Sequence, residues 1–209
     1  MGYALITAPA TEPLALAEAK LQINIETTDT YTDTLILAQI VAARVAVEQI
    51  TKRSLITQTW RYTMDSFPGQ TISSSPWGRE FSIPDNTVLL EKGPVSAVTS
   101  ITYTDTQGAQ QTMPVTDYFA ELSGPAARIT PVFGKVWPIT LPQIGSAAIN
   151  FTAGYGNAAA VPQGIKQWML LRIGSMFENR EGIVVGRGIT TNELSFADSL
   201  LDPFRIEIA

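Results

Sequence analysis

The chain of 209 residues has no cysteine and no histidine. The first absence removes disulfides, thiolate nucleophiles and cysteine-based zinc sites. The second removes the commonest general base and metal ligand, and with it Ser-His-Asp triads and HExxH sites. Charge is scarce as well: charged residues make up 16% of the chain, and the net charge is −5. That acidic balance argues against binding nucleic acid through phosphate neutralisation, which needs a basic surface. No basic stretch followed by an apolar core stands near Met1, so no signal peptide and a cytoplasmic site of synthesis are expected. No apolar run reads as membrane-spanning, so no membrane partner is expected.

What is present is mostly uncharged. With 45% hydrophobic residues the chain can fill one large core or two small ones, and its many threonines, glycines and prolines favour β-structure and protein-facing surfaces. The clearest helical stretch is VPQGIKQWMLLRIGSMFENREG, Val161 to Gly182. Pro162 suits a first helical position, where the missing N–H has no intrahelical partner anyway. Ile165, Trp168, Met169, Ile173, Met176 and Phe177 recur at three-and-four spacing, and Leu170 and Leu171 widen the stripe. The plain reading is a core helix, delivered by a short strand and glycine turn, FTAGYG (Phe151 to Gly156).

A short helix is expected from Leu16 to Ile23, with Leu16, Ala19 and Ile23 inward. Glu18 occupies the N3 place of a capping box, but Ala15 has no side-chain acceptor, so the helix start is weak. From Thr34 to Thr51 the chain is apolar on two faces. Leu37, Ile40, Val41, Val45 and Glu48 lie on one side; Ile36, Ala43, Val47 and Ile50 lie on another. Such a helix is sandwiched between neighbours, within the chain or across a subunit boundary. Arg44 and Glu48 are placed to pair at i,i+4, worth a few tenths of a kcal/mol if exposed.

After Arg53 the period changes to two. Ile56, Trp60, Tyr62 and Met64 alternate with Thr57, Thr59, Arg61 and Thr63, as in an amphipathic strand. Further strands are expected at Thr87–Glu91, Val95–Thr104, Ala109–Met113, Tyr118–Leu122, Ala127–Pro131 and Ala147–Thr152. The order is helices, a β-block of roughly a hundred residues, then the long helix. The expected fold is therefore α+β, a helical bundle carrying an inserted β-rich domain. Its parts are N-terminal bundle helices over 1–54, the β-domain over 55–155, and the bundle helix with a C-terminal arm over 156–209. At the end, Phe204, Ile206 and Ile208 alternate with Arg205 and Glu207 after Pro203, the pattern of a strand suited to joining another protein's sheet edge.

No catalytic site is legible. The aspartates stand mainly at turn and cap positions, and GYG and GRG are too short for phosphate loops. No catalytic residue, metal or cofactor is expected. Trp60 and Trp168 fall on core faces, whereas Trp77 and Trp137, in proline-bearing loops, are more open to an interface. They support an alternative, a monomeric carbohydrate-binding module. A carboxylate-only hydrolase is a third reading.

Five stretches, in order along most of the chain, resemble the head–tail connector (adaptor) family of tailed phages, prophages and gene transfer agents, in a long form with a β-insertion. They are EPLALAEAKLQI (Glu12 to Ile23), LILAQIVAARVAVEQITKRSLITQTW (Leu35 to Trp60), GPVSAVTSITYTDTQG (Gly93 to Gly108), RITPVFGKVWP (Arg128 to Pro138) and FTAGYG through ENRE (Phe151 to Glu181). Two positions depart: Ala15, where the family usually has Ser or Thr, and Lys52, where it usually has Gly. The resemblance implies a non-enzymatic virion protein made in the host cytoplasm and built into the neck. It would form a dodecameric ring beneath the portal protein, extend the DNA channel without binding DNA specifically, and offer a surface to a tail-side stopper or tail-completion protein. On that reading Leu37, Ile40, Val41, Met169 and Met176 are expected at subunit contacts, and Phe204, Arg205, Ile206 and Ile208 at the portal.

Overall fold

A computed structural model describes residues 1–69, 86–179 and 198–206. Among these the chain is mixed α+β, with three α-helices and two antiparallel sheets. It parts into two compact units. One combines Met1–Ala8 with Gln58–Gly154, and the other combines Pro9–Thr57 with Tyr155–Ala209.

The first unit holds strands β1 (Gly2–Thr7), β2 (Gln58–Met64), β3 (Val88–Leu90), β4 (Val95–Thr104), β5 (Gln110–Thr112), β6 (Tyr118–Glu121), β7 (Ala127–Pro131) and β8 (Ala147–Ala153). They form a five-stranded sheet, β1-β2-β8-β4-β5, and a three-stranded sheet, β3-β7-β6. β8 is central, and Ala147, Ile149, Phe151 and Ala153 all bury on its inner face by strict alternation. Trp60 lies opposite Phe151 and Tyr62 opposite Ile149, so the period-two run read in β2 sets its register. Asp105 turns β4 into β5: its carboxylate accepts the Gln107 and Ala109 N–H groups at 2.9 Å, and Gly108 takes the left-handed conformation, φ 83°.

β1 corrects the expectation for residues 1–8, which were assigned to the N-terminal helices. They form an edge strand paired with β2, Gly2 to Thr63 and Tyr3 to Tyr62. Tyr3 stacks on Tyr62 at 4.6 Å, and its hydroxyl accepts the Glu91 N–H at 2.8 Å. The partner strand lies about sixty residues away in sequence, so nothing in the local pattern of residues 1–8 announces it.

The second unit holds α1 (Leu16–Gln22), α2 (Asp33–Thr51) and α3 (Gln163–Glu178), which pack on one another. Ile36, Ile40, Ala43 and Val47 of α2 share a core with Ile165, Trp168, Met169 and Ile173 of α3. Leu55, Ile56 and Tyr155 belong to this helical core, so the junctions with the β unit fall at 57/58 and 154/155 rather than 54/55 and 155/156. α1 begins at Ala15 with half a capping box, the Glu18 carboxylate accepting the Ala15 N–H at 2.7 Å. α2 ends on Lys52 in the left-handed conformation, φ 56° and ψ 26°. Contrary to the reading of the sequence, α2 is long and apolar enough, by length and composition, to cross a membrane. It behaves as a core helix: one face is covered by the unit's own apolar residues, and Arg44 and Glu48 carry paired charge within it.

Candidate interaction surfaces

The five residues expected at subunit contacts separate into two groups. Ile40 is 1% exposed and Met169 0%, both inside the helical core, so neither is available to a neighbour. Met176 is half-buried against the same core. Leu37 at 47% and Val41 at 40% do face outward, and Val45 continues their line. Thr34, Leu37, Ala38, Val41, Ala42, Val45 and Gln49 are all exposed and form one uncharged helical face. The two faces read in the sequence hold for Leu37, Val41 and Val45 outside and for Ile36, Ala43 and Val47 inside, but Ile40 and Glu48 turn inward and Ile50 is exposed.

The polar residues of α2 are more deeply engaged than their spacing suggested. The Arg44 guanidinium donates to Glu12 at 2.8 Å and to Glu48 at 3.1 Å, with all but about a tenth of the Arg44 and Glu48 side chains buried. The other Glu48 oxygen accepts the Leu55 N–H at 2.9 Å. Lys20, unremarked in the sequence, is buried; its ammonium lies 2.5 Å from the Asp33 carboxylate and donates to the Thr27 and Asp29 carbonyls at 3.2 and 2.6 Å. These groups close the loops of the helical unit and carry no site.

In the β unit the residues that face outward are not the expected ones. Trp137 is core: it stacks on Phe67 at 4.6 Å, and its indole N–H donates to the Asn86 carbonyl at 2.6 Å. Trp60 is half-buried with the Lys92 ammonium 4.8 Å over its ring, and Trp77 lies outside the described residues. The bare apolar side chains are instead those around Trp137, in the 132–146 loop between β7 and β8. Phe133, Val136, Ile139 and Ile144 are all strongly exposed. The loop is held by backbone bonds, Val132 N–H to the Asp117 carbonyl at 3.1 Å and Leu141 N–H to the Thr104 carbonyl at 2.9 Å. Gly145 N–H to the Asp65 carboxylate, 2.9 Å, secures its far end.

The C-terminal segment is corrected too. Asp202–Phe204 is a 3-10 turn, and the segment does not run free as a strand. Ile206 is buried and its N–H donates to the Thr51 carbonyl at 3.2 Å. Arg53 donates to the Phe204 carbonyl at 2.5 Å. The Phe204 ring packs so closely over α3 that a Cβ at Gly164 would lie 3.2 Å from it. Arg205 pairs with Asp202 on the surface at 3.4 Å, and Ile208 lies outside the described residues. Alternation suggested a strand; the helical core offered Phe204 and Ile206 better cover.

Among the described residues the resolved shifts fall on four tyrosines and two carboxylates. Burial raises the phenols of Tyr3, Tyr62, Tyr118 and Tyr155 above the usual tyrosine value. The Gln111 amide, followed by backbone N–H groups, lowers Asp105, and the Ser123 hydroxyl and N–H lower Glu121. Every one of these shifts leads away from neutral pH, where an acid–base catalyst is needed. Among the described residues no group of three carboxylate, histidine or cysteine side chains is placed to hold a metal ion.

No protein-family model and no curated protein matches the chain. Solved structures do. The chain is similar over 100% of its length to 98% of a chain in the neck of an empty gene transfer agent particle computed with C6 symmetry, at 22% identity and a TM-score of 0.76. A chain in the virion of a native gene transfer agent particle matches over the same shares, at 20% identity and a TM-score of 0.73. A third, in the neck of a native particle computed with C12 symmetry, matches at 20% and 0.64. Since the likeness spans both chains from end to end, this protein shares their fold.

Proposed function

We propose that the protein is a structural component of a virion neck, a head–tail connector that forms a ring beneath the portal protein. The observation that carries this reading is the end-to-end fold likeness to chains of gene transfer agent necks, covering 100% of this chain. A neck described with C6 or C12 symmetry suits a dodecameric ring. The uncharged outer face of α2 supplies apolar surface for subunit contacts through Leu37 and Val41. In this reading the helical unit is the ring-forming bundle, and Gln58–Gly154 is a domain inserted into it that carries the tail-side surface. The net charge of −5 favours a channel through which DNA slides by like-charge repulsion. The protein acts by assembly and not as an enzyme.

Electron microscopy of the full chain, alone and mixed with portal protein, tests the proposal. Rings are expected in at least the mixture; monomers in both would overturn it. The carbohydrate-binding alternative loses its best support, because Trp137 is buried and stacked in the core.

A further inference from the structure

Among the described residues, two exposed apolar surfaces carry little or no charge. One is the outer face of α2, with Leu37, Val41 and Val45 standing above Ala38 and Ala42. The other is the 132–146 loop, whose Phe133, Val136, Ile139 and Ile144 project outward. The loop is not a loose flap. Trp137 anchors it in the core, and backbone bonds hold both of its ends. Its single charge, Lys135, is paired with Asp117 at 3.5 Å. Apolar residues exposed on a fixed loop keep their full hydration cost until a second surface covers them.

We infer that the 132–146 loop of one copy seats on the outer face of α2 of the next copy, a head-to-tail contact within the ring proposed above. Three features favour a second copy of this chain as the occupant. The surfaces match in chemistry, since the α2 face has no charge and the loop's only charge is already paired. The α2 face offers hollows, since Ala38 and Ala42 stand between Leu37, Val41 and Val45 and leave room for bulky side chains. And their sizes suit. A stable contact takes about 800 Å² from each partner; Phe133 as a buried aromatic ring contributes about 150–250 Å² of it, and Val136, Ile139 and Ile144 add to that. Like-on-like alternatives leave one of the two surfaces bare. Pairing α2 with α2, or loop with loop, makes a two-fold dimer that covers only one of the two surfaces. Seating the loop on α2 covers both in every copy; made head to tail, with a rotation that closes, it gives the ring that the proposed function requires.

The lack of cysteine makes the contact directly testable by cross-linking. One preparation carries Val41→Cys and another, differently tagged, carries Phe133→Cys. Both positions are exposed, so circular dichroism and melting should match the parent chain. The two are mixed, with and without portal protein, and oxidised mildly. A disulfide joining the two tags is expected, and the Val41→Cys/Phe133→Cys double variant should give a ladder of covalent oligomers. Phe133→Asp should weaken self-association by more than about tenfold with an unchanged melting temperature. Rings that form without the mixed disulfide, or that yield mainly Val41→Cys homodimers, overturn this contact and leave the ring proposal standing. If no ring forms in either condition, the ring proposal falls and this contact falls with it.

Discussion

The helical unit is fastened by ion pairs between buried or part-buried side chains, whereas the β unit is fastened by aromatic rings, backbone bonds and single carboxylates that accept backbone N–H groups. Lys20 gathers the Thr27 and Asp29 carbonyls beside Asp33, and Arg44 joins Glu12 to Glu48, which in turn holds the Leu55 N–H. In the β unit Trp137 on Phe67 pins the loop before β8, and Tyr3 on Tyr62 pins the edge strand β1. The difference follows from local geometry. Helix ends and connectors leave carbonyls and N–H groups without ladder partners, and long charged side chains can reach them. Strands satisfy their own backbone, so their connections rest more on apolar area, with Asp105 and Asp65 accepting N–H groups left over in the turns. A charged fastening fails when one partner is removed, because the other stays buried and unpaired. An aromatic one fails in proportion to the area lost.

The largest expected effect separates core from surface on the helical unit. Met169→Asp places a charge at a fully buried site and should cost about 4 kcal/mol or more, enough to unfold the unit. Val41→Asp, on the exposed face, should change folding stability by no more than about 0.5 kcal/mol while preventing assembly. Equilibrium denaturation with light scattering reads both; a fully destabilised Val41→Asp protein would show the outer face to be misassigned.

Next come the two kinds of fastening. Trp137→Ala should destabilise the β unit by about 3–5 kcal/mol. Glu48→Ala should cost the helical unit about 2–3 kcal/mol, because it leaves the Leu55 N–H without its acceptor and Arg44 with Glu12 as its remaining ion-pair partner. Glu48→Gln, which keeps an acceptor for that N–H, should cost less, about 1–2 kcal/mol. Hydrogen exchange resolved by residue would locate each loss. If Glu48→Gln proved as harmful as Glu48→Ala, the charge rather than the backbone bond would be the important part.

Smaller still is the alkaline pH effect of Tyr3 and Tyr62 in the β unit. Burial raises the Tyr3 phenol, opposed by the Glu91 N–H bond, and burial with the Glu91 charge raises Tyr62. A raised value means that the folded state favours the protonated phenol. That stability is complete below the ordinary tyrosine value of about 10 and is lost as pH rises beyond it. The melting temperature should therefore fall above pH 10, and less steeply in Tyr3→Phe. An equal slope in that variant would exclude Tyr3 as the source.

The smallest effect concerns the end of α2. Lys52 is held left-handed, a conformation that costs an L-residue about 1–2 kcal/mol. Lys52→Gly removes that cost but loosens the unfolded chain, so a net gain of about 0.5 kcal/mol is expected. A lower melting temperature would mean that the lysine side chain contributes more than its backbone costs.

The local pattern of the sequence determined the α+β class, the positions of α1, α2 and α3, and the strand runs from β2 to β8. These are short-range properties: turn residues, alternation and three-and-four spacing act between neighbours and do not depend on what arrives from elsewhere. It also flagged Ala15 as a weak helix start, and the family resemblance flagged Lys52; Ala15 contributes no side-chain cap and Lys52 is left-handed. Only tertiary structure decided which apolar residues are covered. Leu37 and Ile40 look alike in sequence, yet α3 covers one and not the other. Trp137 sits in a loop that reads as exposed, but Phe67 and the Asn86 carbonyl arrive from more than fifty residues away to receive it, leaving Phe133 and Val136 outside. Phe204 and Ile206 alternate as a strand would, yet Thr51 and Arg53 supply the backbone partners that bind them to the helical unit. Burial is a property of pairs of segments distant in the chain, so the sequence around either segment alone cannot contain it.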